Sequence, residues 1–116
     1  MISKSSLEIF FKKILIIAED NYDDFNSIDG QLGDGDLGIT ISRGLKEINE
    51  NLTKFEDDLG KTFMVCAQCF TKASSSSFGT LVAISFMTIA KETKGKKELN
   101  FNEVPDIINK VIEAVC

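Results

Sequence analysis

Residues 29 to 44 read Asp29-Gly30-Gln31-Leu32-Gly33-Asp34-Gly35-Asp36-Leu37-Gly38-Ile39-Thr40-Ile41-Ser42-Arg43-Gly44. Three carboxylates, Asp29, Asp34 and Asp36, stand among four glycines, Gly30, Gly33, Gly35 and Gly38, and a helical period follows at once. Ile41, Leu45, Ile48 and Leu52 recur at three- and four-residue steps, which predicts a helix starting near Gly38. A solvated turn between helices needs glycine and at most one aspartate. Several carboxylates on a flexible, glycine-rich backbone are instead the donor set that hard cations such as Mg²⁺ select. The stretch therefore reads as a junction between two helices that carries a cage for a divalent cation. A glycine-rich helix–helix turn with solvated aspartates accounts for the same residues without chemistry.

The helical reading extends in both directions from this junction. Upstream, Leu7, Phe11, Ile14, Ala18, Phe25 and Ile28 predict one long helix from about Ser5 to Asn26. Downstream, Leu59, Phe63, Cys66, Phe70 and Ala73 mark a third helix. Thr80 to Thr93 is apolar nearly all round, as expected of a helix at the centre of a bundle, although a strand has the same pattern over so short a run. Phe101, Val104, Ile108, Val111 and Val115 give a fifth helix, with Asn102 placed to cap it and Pro105 in its first turn. Gly95 to Lys97 reads as an exposed loop. No repeat or linker divides residues 1–116, so the expectation is one all-α domain, an antiparallel helical bundle.

Composition narrows the function. The chain has 116 residues, 43% hydrophobic and 27% charged, as in ordinary globular proteins. Its net charge of -5 argues against binding to nucleic acid or anionic membranes. The longest nearly apolar run, Leu81 to Ala90, is far short of the ~20 residues of a membrane span, and a cytoplasmic location is expected. There is no histidine, which excludes a Ser-His-Asp triad, a histidine zinc site and a histidine general base. Cys66-Ala67-Gln68-Cys69 has C-x-x-C spacing but sits in mid-helix and lacks a second pair, so buried, reduced thiols are expected.

Several named motifs fail at the acidic loop. Gly33 to Gly38 matches G-x-G-x-x-G, but the preceding Asn21 to Ser27 is polar and helix-like where a dinucleotide fold needs a strand. An EF-hand starting at Asp34 would need glutamate where Leu45 stands, and no Gly-Lys-Ser/Thr marks a P-loop. The loop's aspartates would repel a bare phosphate and attract one bridged by metal. Backbone amides of Gly38, Ile39 and Thr40 at the helix start could then take phosphate oxygens. A second segment, Ala73-Ser74-Ser75-Ser76-Ser77-Phe78-Gly79-Thr80, sets small hydroxyl residues before an apolar helix. Alone it reads as a flexible loop or cap; beside a cation loop it becomes the second wall of a nucleotide site.

These residues resemble the N-terminal part of the ADP/ATP-binding L subunit of dihydroxyacetone kinase. The resemblance rests on Ile28-Asp29, on Gly33 to Asp36 with Gly38, on Arg43-Gly44, and on Ala73-Ser74 with Phe78-Gly79-Thr80. It covers the whole chain but about the first half of the family domain, so the chain is either a fragment or a shortened member. It implies an all-α barrel of antiparallel helices holding a nucleotide through two Mg²⁺ ions. Asp29, Asp34 and Asp36 match the metal ligands, while the amides of Leu37, Gly38, Ile39 and Thr40 match phosphate-binding positions together with Ala73, Ser74, Gly79 and Thr80. The phosphoryl group would pass to dihydroxyacetone held by a separate K subunit. In some members bound ADP is recharged by a protein of the phosphotransferase system.

This chain departs from the family pattern at Leu37 (usually histidine), Thr40 (asparagine), Thr71-Lys72 (Gly-Gly) and Ser75-Ser76 (Gly-Pro). Two other readings follow. One is a non-catalytic, regulatory module that binds Mg-nucleotide. The other is the N-terminal domain of a fatty-acid-kinase-type protein, whose Pro-Asp-Gly-Asp-Thr-Gly loop the Leu32-Gly33 pair fits less well. A bundle lacking half its helices would also expose an apolar face and favour a homodimer.

Overall fold

A computed structural model describes residues 1–24 and 37–116. A two-residue strand β1 (Ile2–Ser3) leads into α1 (Lys4–Asp20), and α2 spans Leu37–Glu50. A short 3₁₀ turn (Leu52–Lys54) precedes α3 (Leu59–Ala73), and three residues then connect to α4 (Ser77–Glu92). β2 (Glu98–Leu99), a second 3₁₀ turn (Phe101–Glu103) and α5 (Val104–Val115) complete the chain. Each helix packs chiefly on its sequence neighbour, and the three-residue α3–α4 connection forces those two to run antiparallel. The all-α architecture expected from periodicity is the observed one.

The core is aromatic where the helices converge. Phe11 of α1 meets Phe55 at 6.0 Å and Phe86 of α4 at 6.2 Å between ring centroids, and Phe86 also contacts Phe63 and Phe70 of α3. Phe86 thus joins three helices. Asn49 of α2 donates from Nδ2 to the Phe11 carbonyl at 3.0 Å, tying α1 to α2. At the opposite end, Asp58 caps α3 by accepting from Gly60 N at 2.9 Å, and the same carboxylate oxygen accepts from Gly95 N at 3.0 Å. One carboxylate therefore anchors both the start of α3 and the turn after α4.

The structure corrects the sequence reading in four places. α1 ends at Asp20 rather than Asn26, because Asn21 turns out of the helix and returns its side chain to the Ile17 carbonyl at 2.8 Å; residues 22–24 are helical again. α4 is not sheathed by the bundle: Leu81 and Met87 are each 45% exposed. The other four described helices leave one side of it open. Asn100, not Asn102, begins the last helical segment, with its amide donating to Glu103 Oε2 at 2.9 Å. Finally, Ile2 pairs antiparallel with Leu99, a clasp too short to leave a period-two signal.

Candidate functional site

The first turn of α2 is set by what lies beneath it. Gly38 and Thr40 face inward and are buried, while Leu37 and Ile39 are half-buried. Thr40 is only 2% exposed, yet it is polar, so its hydroxyl needs a partner inside the fold. It finds Ser76: Thr40 Oγ1 and Ser76 Oγ lie 3.1 Å apart. The acidic-loop helix and the serine segment, 36 residues apart in sequence, therefore meet at one hydrogen bond.

Ser76 is the N-cap of α4, its Oγ accepting from Gly79 N at 3.0 Å, and it also meets Ser74 Oγ at 2.9 Å. Gly79 is buried in the first turn of α4, where a Cβ would come within 3.0 Å of Ser74 Oγ and 3.1 Å of its Cβ. Its lack of a side chain is what lets the serine turn fold back on the helix. Of the residues singled out in sequence, Thr40, Ser74 and Gly79 are thus gathered around Ser76. Ala73 closes α3, and Thr80 is exposed with its hydroxyl donating to the Ser76 carbonyl at 3.1 Å. In sequence Ser76 stood out only as one of a serine run and as half of the Ser75-Ser76 departure from the family's Gly-Pro, with nothing to mark it as the member of that run that caps α4.

The side chains that replace glycines before Ala73 turn away along α3. Lys72 Nζ pairs with Glu47 of α2 at 3.0 Å, which raises the lysine pKa, and Thr71 Oγ1 donates to the Ala67 carbonyl. Beside the first turns of α2, a hollow of about 420 Å³ is lined by Arg43 and Lys46 together with Glu19, Asp20 and Asp23. Ser42 Oγ is buried there without a hydrogen-bond partner among the described residues. The larger groove, about 500 Å³ between α3 and α4, lies at the Asp58 end and contains none of the candidate residues.

Asp29, Asp34 and Asp36 lie outside the described residues. Among the described residues no three histidine, cysteine, aspartate or glutamate side chains converge to hold a metal ion. The C-x-x-C pair is no alternative centre: Cys66 and Cys69 are buried in mid-α3, and burial pushes the Cys69 thiol up to about 11 and Cys66 higher still.

The N-termini of two helices, α2 and α4, are held together here, and helix N-termini are suited to anions. In comparison with known proteins, residues 31–116 match the DAK2 domain family. The chain belongs to the DAK2 domain family. This DAK2 domain is similar to the ADP-binding subunit DhaL of a PEP-dependent dihydroxyacetone kinase 2 from Listeria innocua serovar 6a. The two are 27% identical over 95 residues, which cover 79% of this chain and 44% of the relative. The DAK2 chain thus spans less than half the length of that relative. No solved structure matches it. No described helix is long and apolar enough to cross a membrane.

Proposed function

We propose that this DAK2 domain binds ADP or ATP through Mg²⁺ and serves as the nucleotide-bearing part of a dihydroxyacetone-kinase-type phosphotransferase. The observation that carries the reading is the Thr40–Ser76 junction, which brings the N-termini of α2 and α4 together in a chain whose family includes an ADP-binding subunit. Asp29, Asp34 and Asp36 would hold the metal, for which three hard carboxylate oxygens on a glycine-rich backbone are the fitting donors. Bound there, Mg²⁺ would neutralise charge on the phosphates. The amides of Leu37 to Thr40 and the Ala73–Thr80 segment would orient the phosphates from two sides.

These 116 residues contain no histidine, in keeping with a family pattern in which the group that activates the acceptor belongs to the partner. That partner is proposed to be a K-type subunit carrying dihydroxyacetone. The relative's PEP dependence favours a phosphotransferase-system protein as the donor that recharges bound ADP, and the proposed place of the reaction is the cytoplasm.

Calorimetric titration of ADP into the purified protein tests the reading. Binding with Mg²⁺ that disappears in excess chelator is the expected result, followed by phosphoryl transfer once a K-type partner is added. Binding without transfer, even with a competent partner, would establish the non-catalytic module instead. No binding in either condition overturns both.

A further inference from the structure

Ser76 occupies an unusual position in the hydrogen-bonding of this site. A serine hydroxyl offers one donor and two acceptor positions. Ser76 Oγ has three partners: Gly79 N at 3.0 Å, Ser74 Oγ at 2.9 Å and Thr40 Oγ1 at 3.1 Å. Gly79 takes one acceptor position, and the two hydroxyl partners account for the donor and the other acceptor. The capacity of the group is filled from within the protein. It has nothing left to offer a phosphate without releasing one of these partners.

The partners belong to different elements. Gly79 is in the first turn of α4, Ser74 follows α3, and Thr40 is in the first turn of α2. The α2 and α4 N-termini each carry partial positive charge, so with no anion between them their dipoles repel. The Thr40–Ser76 hydrogen bond is a side-chain link that holds them together against that repulsion, and burial of Thr40 shields it from water.

We propose that Ser76 is a positioning residue: through Thr40 it sets the spacing of the α2 and α4 N-termini before the nucleotide phosphates arrive. The proposal rests on the Mg-nucleotide reading above. It assigns to Ser76 the pre-organisation of the phosphate subsite rather than a contact with phosphate.

The test is a double-mutant cycle read by Mg-ADP affinity and by thermal melting. Thr40→Val removes the link but leaves Ser76 capping α4, whereas Ser76→Ala removes both. Each single variant should bind Mg-ADP roughly three- to tenfold more weakly, as loss of one hydrogen bond implies. The double variant should bind no more weakly than Ser76→Ala. Ser76→Thr, which keeps a capping hydroxyl, should restore affinity. If Ser76 acts only as a helix cap, Thr40→Val will bind like the parent and the proposal fails. Independent, additive losses in the double variant would overturn it as well. If the unmodified protein does not bind Mg-ADP, the functional reading fails and takes the proposal with it.

Discussion

Gly44 on α2 and Phe70 on α3 occupy one space: the Phe70 ring edge fills the volume that a Cβ at position 44 would need. The Arg43-Gly44 step, read in sequence as part of a family signature, therefore has a packing cause in its second residue. Phe70 is 3% exposed and cannot swing into solvent without leaving the core.

Gly44→Ala should consequently destabilise the fold, although alanine is the better helix former by roughly 1 kcal/mol. Overpacking of this kind costs about 1–3 kcal/mol, enough to reverse the sign. Urea unfolding followed by circular dichroism measures the difference. A variant as stable as the parent would mean that α2 and α3 have room to part.

Acid should weaken the Asp58 end of the bundle. The Gly95 amide, with those of Gly60 and Lys61, holds the Asp58 carboxyl below its ordinary 3.8, and the Lys96 ammonium and Asn100 amide lower Glu103 below 4.5. A carboxylate with a depressed folded-state pKa contributes stability that is present above its unfolded value and lost as pH falls through the folded one. Melting temperature should stay flat from neutral pH to about pH 5, then fall below the usual carboxylate range. Asp58→Asn should flatten that acid limb; an unchanged limb would assign it to other groups.

The three cysteines should separate by reactivity. Cys116 is exposed, whereas Cys66 and Cys69 are buried thiols with raised pKa values. At neutral pH a chromogenic disulfide reagent should titrate Cys116 rapidly and the other two only after denaturation. Rapid titration of all three in the native protein would show that α3 opens.

Asp34→Asn and Asp36→Asn should each abolish most Mg²⁺-dependent ADP binding. Loss of a direct ligand should exceed the roughly 10–100-fold that outer-shell changes cost a metal site. Calorimetry with a parallel thermal melt separates lost binding from lost fold. Full affinity in both variants would remove these aspartates from the site.

How much of this was legible in the sequence depends on how local each signal is. α3 over Leu59–Ala73 follows its apolar period from first residue to last, because the core residues Leu59, Phe63, Cys66 and Phe70 and the Asp58 cap agree. α1 was read too long, since the apolar residues beyond Ala18 keep a loose helical spacing while a single asparagine, Asn21, ends the helix through its own side chain. The exposure of α4 depends on which neighbours are present, which hydropathy does not report. The acidic loop and the serine segment were each legible as chemistry. Sequence placed the serine segment as a second wall of the site but not the contact that joins it to α2: Thr40 and Ser76 read singly as departures from a family pattern, and only the packing of α2 against α4 shows them hydrogen-bonded to each other.

The Ile2–Leu99 clasp sets an order on assembly. β1 leads directly into α1, yet the strand that β1 pairs with lies almost a hundred residues later in the chain. A nascent chain that has not yet delivered β2 leaves β1, which precedes α1, without its backbone partner. Pairing of β1 with β2 therefore waits on synthesis of residues 98 and 99, so this clasp closes only after α1 to α4 have been made.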